Sequence, residues 1–509
     1  MQNNNRVIAK NTLFLYFRML LIMFVSLYTS RVVLSTLGVD DFGIYATVGG
    51  IVMLLSFVNG AMSTGSSRFL TFALGKKDFI KLKKTFDTTL SAHIIISVII
   101  LIIAETIGLW FLLNKLVIPE ERMYASFWVY QISILTAIIN ITQVPYTASI
   151  IAHEKMTVYA YIGIIEVLLK LTIVFFLTVC SFDKLITYAF LLCAVQISIA
   201  AFYRIYCVRK FKETKYTFSL DKEIFKEIFG FSGWSLFASG SIALNEQGTT
   251  LITNMFFGPS VVAARAISLQ VNMAANQFVS NFRTAVNPQI VKKYASEDFV
   301  GSKSLLLSST KYSFYLMFLL GFPIILLANP ILNIWLVNVP DYTVAFVRLA
   351  IVQSLFAVFD SSFYTALYAK GRLRENALIS PTIGFIRFPI VYFLFKIGCS
   401  PLVLSYAGIV TYAILGFVVK PILIMRIVNY HRSEIFSVFL SCIKVLLVAI
   451  PVPLILSFYL EDSLINYFTI CIVTIISALL SIYCFGIDSG IRKCVKKYIL
   501  NFIVRIKKK

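Results

Sequence analysis

Charge is scarce in this chain: 14% of its 509 residues are charged, against about 25% in ordinary soluble domains. The little charge present is mostly of one sign, with 46 Lys and Arg against 24 Asp and Glu and a net charge of +22. Polar stretches long enough to form a soluble domain are missing, which excludes a separate water-soluble catalytic module. The eight cysteines stand singly, with no C-x-x-C spacing, so the pattern suggests neither a disulfide framework nor a metal site. No GxxxxGK[ST], HExxH or GxSxG pattern occurs. That disfavours ATP-driven work by this chain alone and leaves an H+ or Na+ gradient, or the solute's own, as driving force. No small-residue cleavage site follows MQNNNRVIAKN, so the first apolar segment reads as a retained helix.

What the sequence has is apolar length. The apolar fraction is 59%, mean hydropathy is +0.85, and spanning a bilayer takes about 20 apolar residues. By that measure the chain is an all-α polytopic membrane protein of about 14 transmembrane helices. The cations lie between the apolar runs, as in GKKDFIKLKK (75–84) and VRKFKETK (208–215), rather than in a patch interleaved with aromatics. That pattern speaks against a nucleic-acid partner and for cytoplasmic loops facing anionic membrane lipids. Alternate loops hold nearly all the cations, leaving Lys115, Arg122 and Lys184 on the other side. The bias places both termini in the cytoplasm and requires an even number of spans. The outer loops are short, which disfavours a polymerase or glycosyltransferase with an exterior catalytic loop.

A basic stretch near the middle invites a search for an internal repeat. A shift of 220 lays LGVDDFG (37–43) over FGPSVVA (257–263) and LGKKDF (74–79) over YASEDF (294–299). Further matches pair Lys170 with Arg387 at a shift of 217. The expected plan has five parts: a six-helix lobe (1–208), a cytoplasmic linker with an amphipathic surface helix (209–230), a second six-helix lobe (231–428), two extra helices (429–486) and a basic tail (487–509). With six spans each, the lobes form a parallel repeat.

Charges inside the spans each need a reason, because insertion costs about 2.5–3.5 kcal/mol at a helix centre. On the eighth span Arg265, Asn272, Asn276 and Arg283 fall within about 20° of one line, a stripe about 27 Å long. The stripe reads as a cavity wall with cations at both ends, or as amide glue between helices. The seventh span aligns Ser235, Ser239, Glu246 and Thr253 on one face, and Glu246 and Asp360 are the acids suited to ion coupling. Glu166, one turn from Lys170, offers that lysine a bridge within its own helix. Arg387 has no such acid. On the first span Arg18 and Arg31 oppose each other, and Arg18 shares its face with Asn11 and Thr29. The expected substrate-binding set is therefore Arg18, Arg265, Asn272, Asn276, Arg283, Lys170 and Arg387.

At this point RVVLSTLGVDDFGIY (31–45), RFLTFALGKKD (68–78), Asn287-Pro288-Gln289 and the loop Ala369–Arg372 resemble the multidrug/oligosaccharidyl-lipid/polysaccharide exporter superfamily. Within it the chain is most similar to the polysaccharide branch, the O-antigen and capsule-unit flippases. The resemblance implies two six-helix lobes around a V-shaped cavity that opens alternately to each side. It also implies a cation-lined route for an undecaprenyl-diphosphate-linked oligosaccharide and no bond-making chemistry or cofactor. The setting implied is a bacterial inner membrane, with a single chain working beside a polysaccharide polymerase. A cation-coupled drug exporter and a lipid II flippase are the other readings.

Overall fold

The structure is a computed structural model. It describes residues 2–487 apart from 154 and 373, together with Arg492; side chains are described from residue 20, except at 61, 64, 156, 160, 229, 231, 232, 234, 235 and 374. The fold is 89% helical, and the described residues contain no strand.

In chain order the helices are α1 (Gln2–Leu37), α2 (Val39–Leu55), α3 (Phe57–Gly75), α4 (Phe79–Ile103), α5 (Leu109–Asn114) and α6 (Glu120–Ala152). Next come α7 (Met156–Val179), α8 (Lys184–Lys210), α9 (Lys222–Ala243) and α10 (Thr249–Ala295). The remainder are α11 (Phe299–Leu326), α12 (Ala328–Trp335), α13 (Thr343–Lys370), α14 (Arg374–Lys396) and α15 (Val403–Ala413). Last are α16 (Lys420–Val428), α17 (Arg432–Ala449), α18 (Pro451–Tyr459) and α19 (Leu464–Ser481). Short π-helical segments join several of them, at Ala104–Gly108, Leu244–Gly248, Ile414–Val419 and Ile482–Gly486.

Twelve stretches among the described residues are long and apolar enough to cross a membrane, and the bent pair α2–α3 makes a thirteenth. One of the twelve, Leu236–Ala295, runs for 60 residues and breaks at Gly258, where φ is 78°. Counted as two spans, it brings the total to the fourteen expected.

That break also bears on the repeat. Gly38, between α1 and α2, has φ 84° and ψ 172°; Gly258, 220 residues on, has φ 78° and ψ −177°. Only glycine enters this region without strain. Lys77 and Glu297 share left-handed φ of 57° and 61°. The next residues, Asp78 and Asp298, both cap helices, accepting from the amides of Lys81 at 2.9 Å and Gly301 at 2.8 Å. The same turns thus recur at the spacing read from the sequence.

The chain divides into two compact units. The first comprises residues 1–267, 335–343 and 377–404. Its loops gather at two ends. At one, Arg122 at the start of α6 binds Asp41 of α2 at 2.6 and 2.8 Å, and Asp183 before α8 at 2.7 Å. Burial opposes ionisation of Asp183, but hydrogen bonds from Arg122 and from the Ile186 and Leu185 amides outweigh it and hold its carboxyl below the usual range. At the other end, residues 211–221 are strapped to α4. Lys83 bridges Asp87 at 2.6 Å and also donates to the Lys215 carbonyl, while Asp221 N donates to Thr88 at 3.1 Å. His153 meets Glu213 at 2.5 Å and stacks on Phe211. The segment read as a separate surface helix is instead the start of α9, which runs unbroken to Ala243. Its Ile224 and Ile228 are buried beside Met62 and Ala92, which removes the reason for it to lie apart.

The second unit comprises residues 268–334, 344–376 and 405–509. Its core is aromatic, with Phe314, Phe318, Phe359, Phe363 and Met317 buried together. The two extra helices join that core: Ser481 and Ser477 hydrogen-bond Val445 and Ala449 carbonyls, and Tyr315 donates to the Gly486 carbonyl at 3.2 Å.

Candidate functional site

A π segment widens a helix by one residue and leaves carbonyls without their usual amide partner. In the first unit two such segments carry an acid and are completed by side chains from elsewhere. Tyr130, fully buried, donates to the Ala104 carbonyl at 2.7 Å, and Gln131 reaches Glu105 at 3.2 Å. A Cβ at Gly108 would collide with the Tyr130 hydroxyl, so a larger residue there would displace that side chain. In the Leu244–Gly248 segment the completing group is Arg265. Its guanidinium donates to the Glu246 carbonyl at 3.3 Å from both terminal nitrogens, to Thr249 at 2.7 Å and to Thr250. Arg265 is only 7% exposed, and Arg387 and Glu246 act on it electrostatically. Arg265, Arg387 and Glu246 thus interact electrostatically in this part of the first unit.

The π segment also changes the expected face of the seventh span. One extra residue rotates the downstream part of the helix by about 100°. Thr253 is fully buried whereas the Glu246 side chain is exposed, so Ser239, Glu246 and Thr253 do not form one stripe.

The second unit holds a matching cluster built on a residue the sequence reading passed over. Lys420, at the start of α16, is 2% exposed. It pairs with Asp360 of α13 at 3.2 Å, donates to the Asn376 side-chain oxygen, and lies 5.5 Å from the Tyr364 ring centre. Arg283 binds the neighbouring Ser361 through its hydroxyl at 2.5 Å and through its carbonyl, and Asp360 acts on it electrostatically. Here two cations share one acid. Lys420 stands next to Pro421 at the end of an apolar run, where a lysine reads as a boundary residue. The signal available was its register, inside that run's last cation, Arg426.

The polar stripe of the eighth span divides. Arg265 belongs to the first unit, and the rest pack on α13. Asn276 donates to Asn272 at 3.0 Å and to Ser354 at 2.9 Å, and Ser354 donates to Asn272 at 2.7 Å. Arg283–Ser361 and Asn287–Thr365 continue the same ladder. Interhelical amide bonds such as those among Asn272, Asn276 and Ser354 contribute about 0.6 kcal/mol per contact. Lys170 bonds Glu166 at 2.6 Å, and Gln196 joins them at 3.4 Å. Arg18 lies on α1 and falls outside the residues whose side chains are described. The structure therefore brings together Arg265, Arg387 and Glu246 in one unit, and Arg283 and Asp360 with Lys420 in the other.

No family model matches the chain. Among curated proteins it is similar to the uncharacterized membrane protein EpsK of Bacillus subtilis (strain 168), at 21% identity over 430 residues, covering 81% of this chain and 82% of that protein. Among solved structures it matches the inward-facing conformation of a multidrug resistance MATE family transporter of the MOP superfamily. That match has a TM-score of 0.69 and 15% identity, over 81% of this chain and 98% of that one. It also matches the lipid II flippase MurJ in an inward closed conformation, with a TM-score of 0.66 and 13% identity, over 92% of this chain and 97% of that one. The fold is thus the one these MOP-superfamily transporters share. The MurJ match takes in more of the chain, by about the length of the last two spans.

Proposed function

We propose that this protein is a flippase that carries a lipid-linked anionic solute across the membrane. The solute that fits best is an undecaprenyl-diphosphate-linked oligosaccharide, the repeat unit of an O-antigen or capsule. One observation carries the reading: each unit places cations among the spans, Arg265 with Arg387 acting on it in the first, and Lys420 and Arg283 around Asp360 in the second. Cations held among the spans favour an anionic ligand, because an uncompensated charge in a low-dielectric setting costs several kcal/mol. A diphosphate supplies such an anion, and arginine's planar fork suits it best. Arg387 and Arg283 are the residues assigned to the head group. The similarity to fold relatives named as a multidrug transporter and a lipid II flippase supports translocation by alternating access.

Coupling to an H+ or Na+ gradient falls to Glu246 rather than Asp360, because Lys420 already engages Asp360. The proposed setting is a bacterial inner membrane with both termini cytoplasmic and one chain acting beside a polymerase. The runner-up, cation-coupled drug export, calls for acids rather than cations to face the solute. Proteoliposomes decide between them. A lipid-diphosphate oligosaccharide placed in one leaflet should become accessible in the other at a rate that depends on the protein. Uptake of a cationic drug with no movement of the lipid-linked sugar would overturn the proposal.

A further inference from the structure

Helix α16 ends at Val428, Asn429 turns the chain with a left-handed φ of 61°, and His431 caps α17. Between these two helices lies a groove of about 390 Å³ walled by Pro421, Met425, Phe436 and Phe439, with Arg432 and Ser433 at its mouth. The walls are apolar and Phe436 is 64% exposed, as suits a surface bathed in acyl chains.

The mouth is different. Arg432 is exposed and forms no ion pair among the described residues. The one acid in its turn, Glu434, is already engaged: Lys303 holds it at 2.7 Å, and the His431 amide donates to it at 2.8 Å. Arg432 thus keeps its charge for an outside partner. It stands in the first turn of an 18-residue helix whose dipole favours an anion, and whose third amide is already taken by the His431 side chain. Arg426 adds a second cation from the last turn of α16.

We propose that this groove binds one anionic phospholipid of the cytoplasmic leaflet. The phosphate sits at Arg432, and one acyl chain lies along Met425, Phe436 and Phe439. Arginine matches a phosphate bidentately, and basic pockets between spanning helices on the cytoplasmic side select anionic head groups. The inference rests on the topology that places residues 429–431 in the cytoplasm, but not on the solute carried. Pro421 in the groove wall directly follows the buried Lys420, so the lipid braces the helix that carries that ion pair.

Native mass spectrometry of the purified full-length protein tests this, titrating phosphatidylglycerol against phosphatidylcholine in the absence of any lipid-linked sugar. One phosphatidylglycerol should be retained in preference to phosphatidylcholine. Arg432→Gln should weaken that retention roughly fivefold, and Met425→Trp, which fills the groove, should abolish it. Arg209→Gln, an equal loss of charge on an exposed helix end, should change nothing. A melting curve for each variant separates lost binding from lost folding. Equal retention of both lipids, or equal losses in Arg432→Gln and Arg209→Gln, would overturn the proposal. So would displacement of the phospholipid by an undecaprenyl carrier, which would make the groove a substrate site. A failed flipping assay has no bearing on any of these outcomes.

Discussion

Replacing Lys420 by methionine keeps the stem and removes the charge, so it isolates the ion pair. Lys420 is 2% exposed, and its ammonium joins Asp360, Asn376 and the face of Tyr364. Removing one partner of a buried pair costs about 3–5 kcal/mol, because the other charge stays behind uncompensated. The two singles should not be equal. Lys420→Met leaves Arg283 to act on Asp360, whereas Asp360→Asn leaves two cations with no acid. The first should fall near the low end of that range and the second near the high end. Removing both partners is often neutral, so Lys420→Met with Asp360→Asn should recover at least about 2 kcal/mol over the sum of the singles. Denaturant unfolding of the purified variants, with yield from membranes as a second readout, measures the cycle. A Lys420→Met within about 0.5 kcal/mol of the parent, as for a surface residue, would refute the reasoning. So would a double variant no better than the sum of the singles.

Three further outcomes rest on the same kinds of contact. Arg265→Ala should lower stability by about 2–4 kcal/mol, since it strips hydrogen bonds from the Glu246 carbonyl and two buried hydroxyls; a melt unchanged from the parent would show that the π segment stands without it. Asp183 is held below its ordinary value, so its contribution is complete above about pH 3.9 and fades as pH falls through the lower folded value. Asp183→Asn should therefore flatten the acid limb of the stability–pH curve, and an acid limb identical to the parent's would contradict the latch. Cysteines placed at Lys77, Lys210 and Lys370 should label from the cytoplasm and those at Glu121 and Asp341 from outside, and any reversal breaks the topology.

Most of the fold was legible because lipid demands long apolar runs, and those are visible without a structure. Gly38 and Gly258 were legible as a repeat because a positive φ restricts the residue choice at both places. The Glu166–Lys170 bridge followed from its i, i+4 spacing. The site was harder to read, for a physical reason. Helical projection assumes about 3.6 residues per turn, and the π segments at Leu244–Gly248 and Ile414–Val419 each break that phase. Glu246 therefore left its expected face, and the depth of Lys420, which comes directly after the second segment, could not be counted along the chain. Arg265 aligned with Asn272 and Asn276 by angle, yet the groups it contacts belong to a different unit from theirs.

Whether cations among the spans serve an anionic head group is decided at Arg387. Flipping of a lipid-diphosphate oligosaccharide should be measured in proteoliposomes holding equal amounts of the parent, Arg387→Ala and Arg387→Lys. The account predicts that Arg387→Ala abolishes flipping while its melting curve is kept. Arg387→Lys should restore only part of the rate, because the charge returns without the fork that grips phosphate. Flipping at the parental rate by a well-folded Arg387→Ala would contradict it.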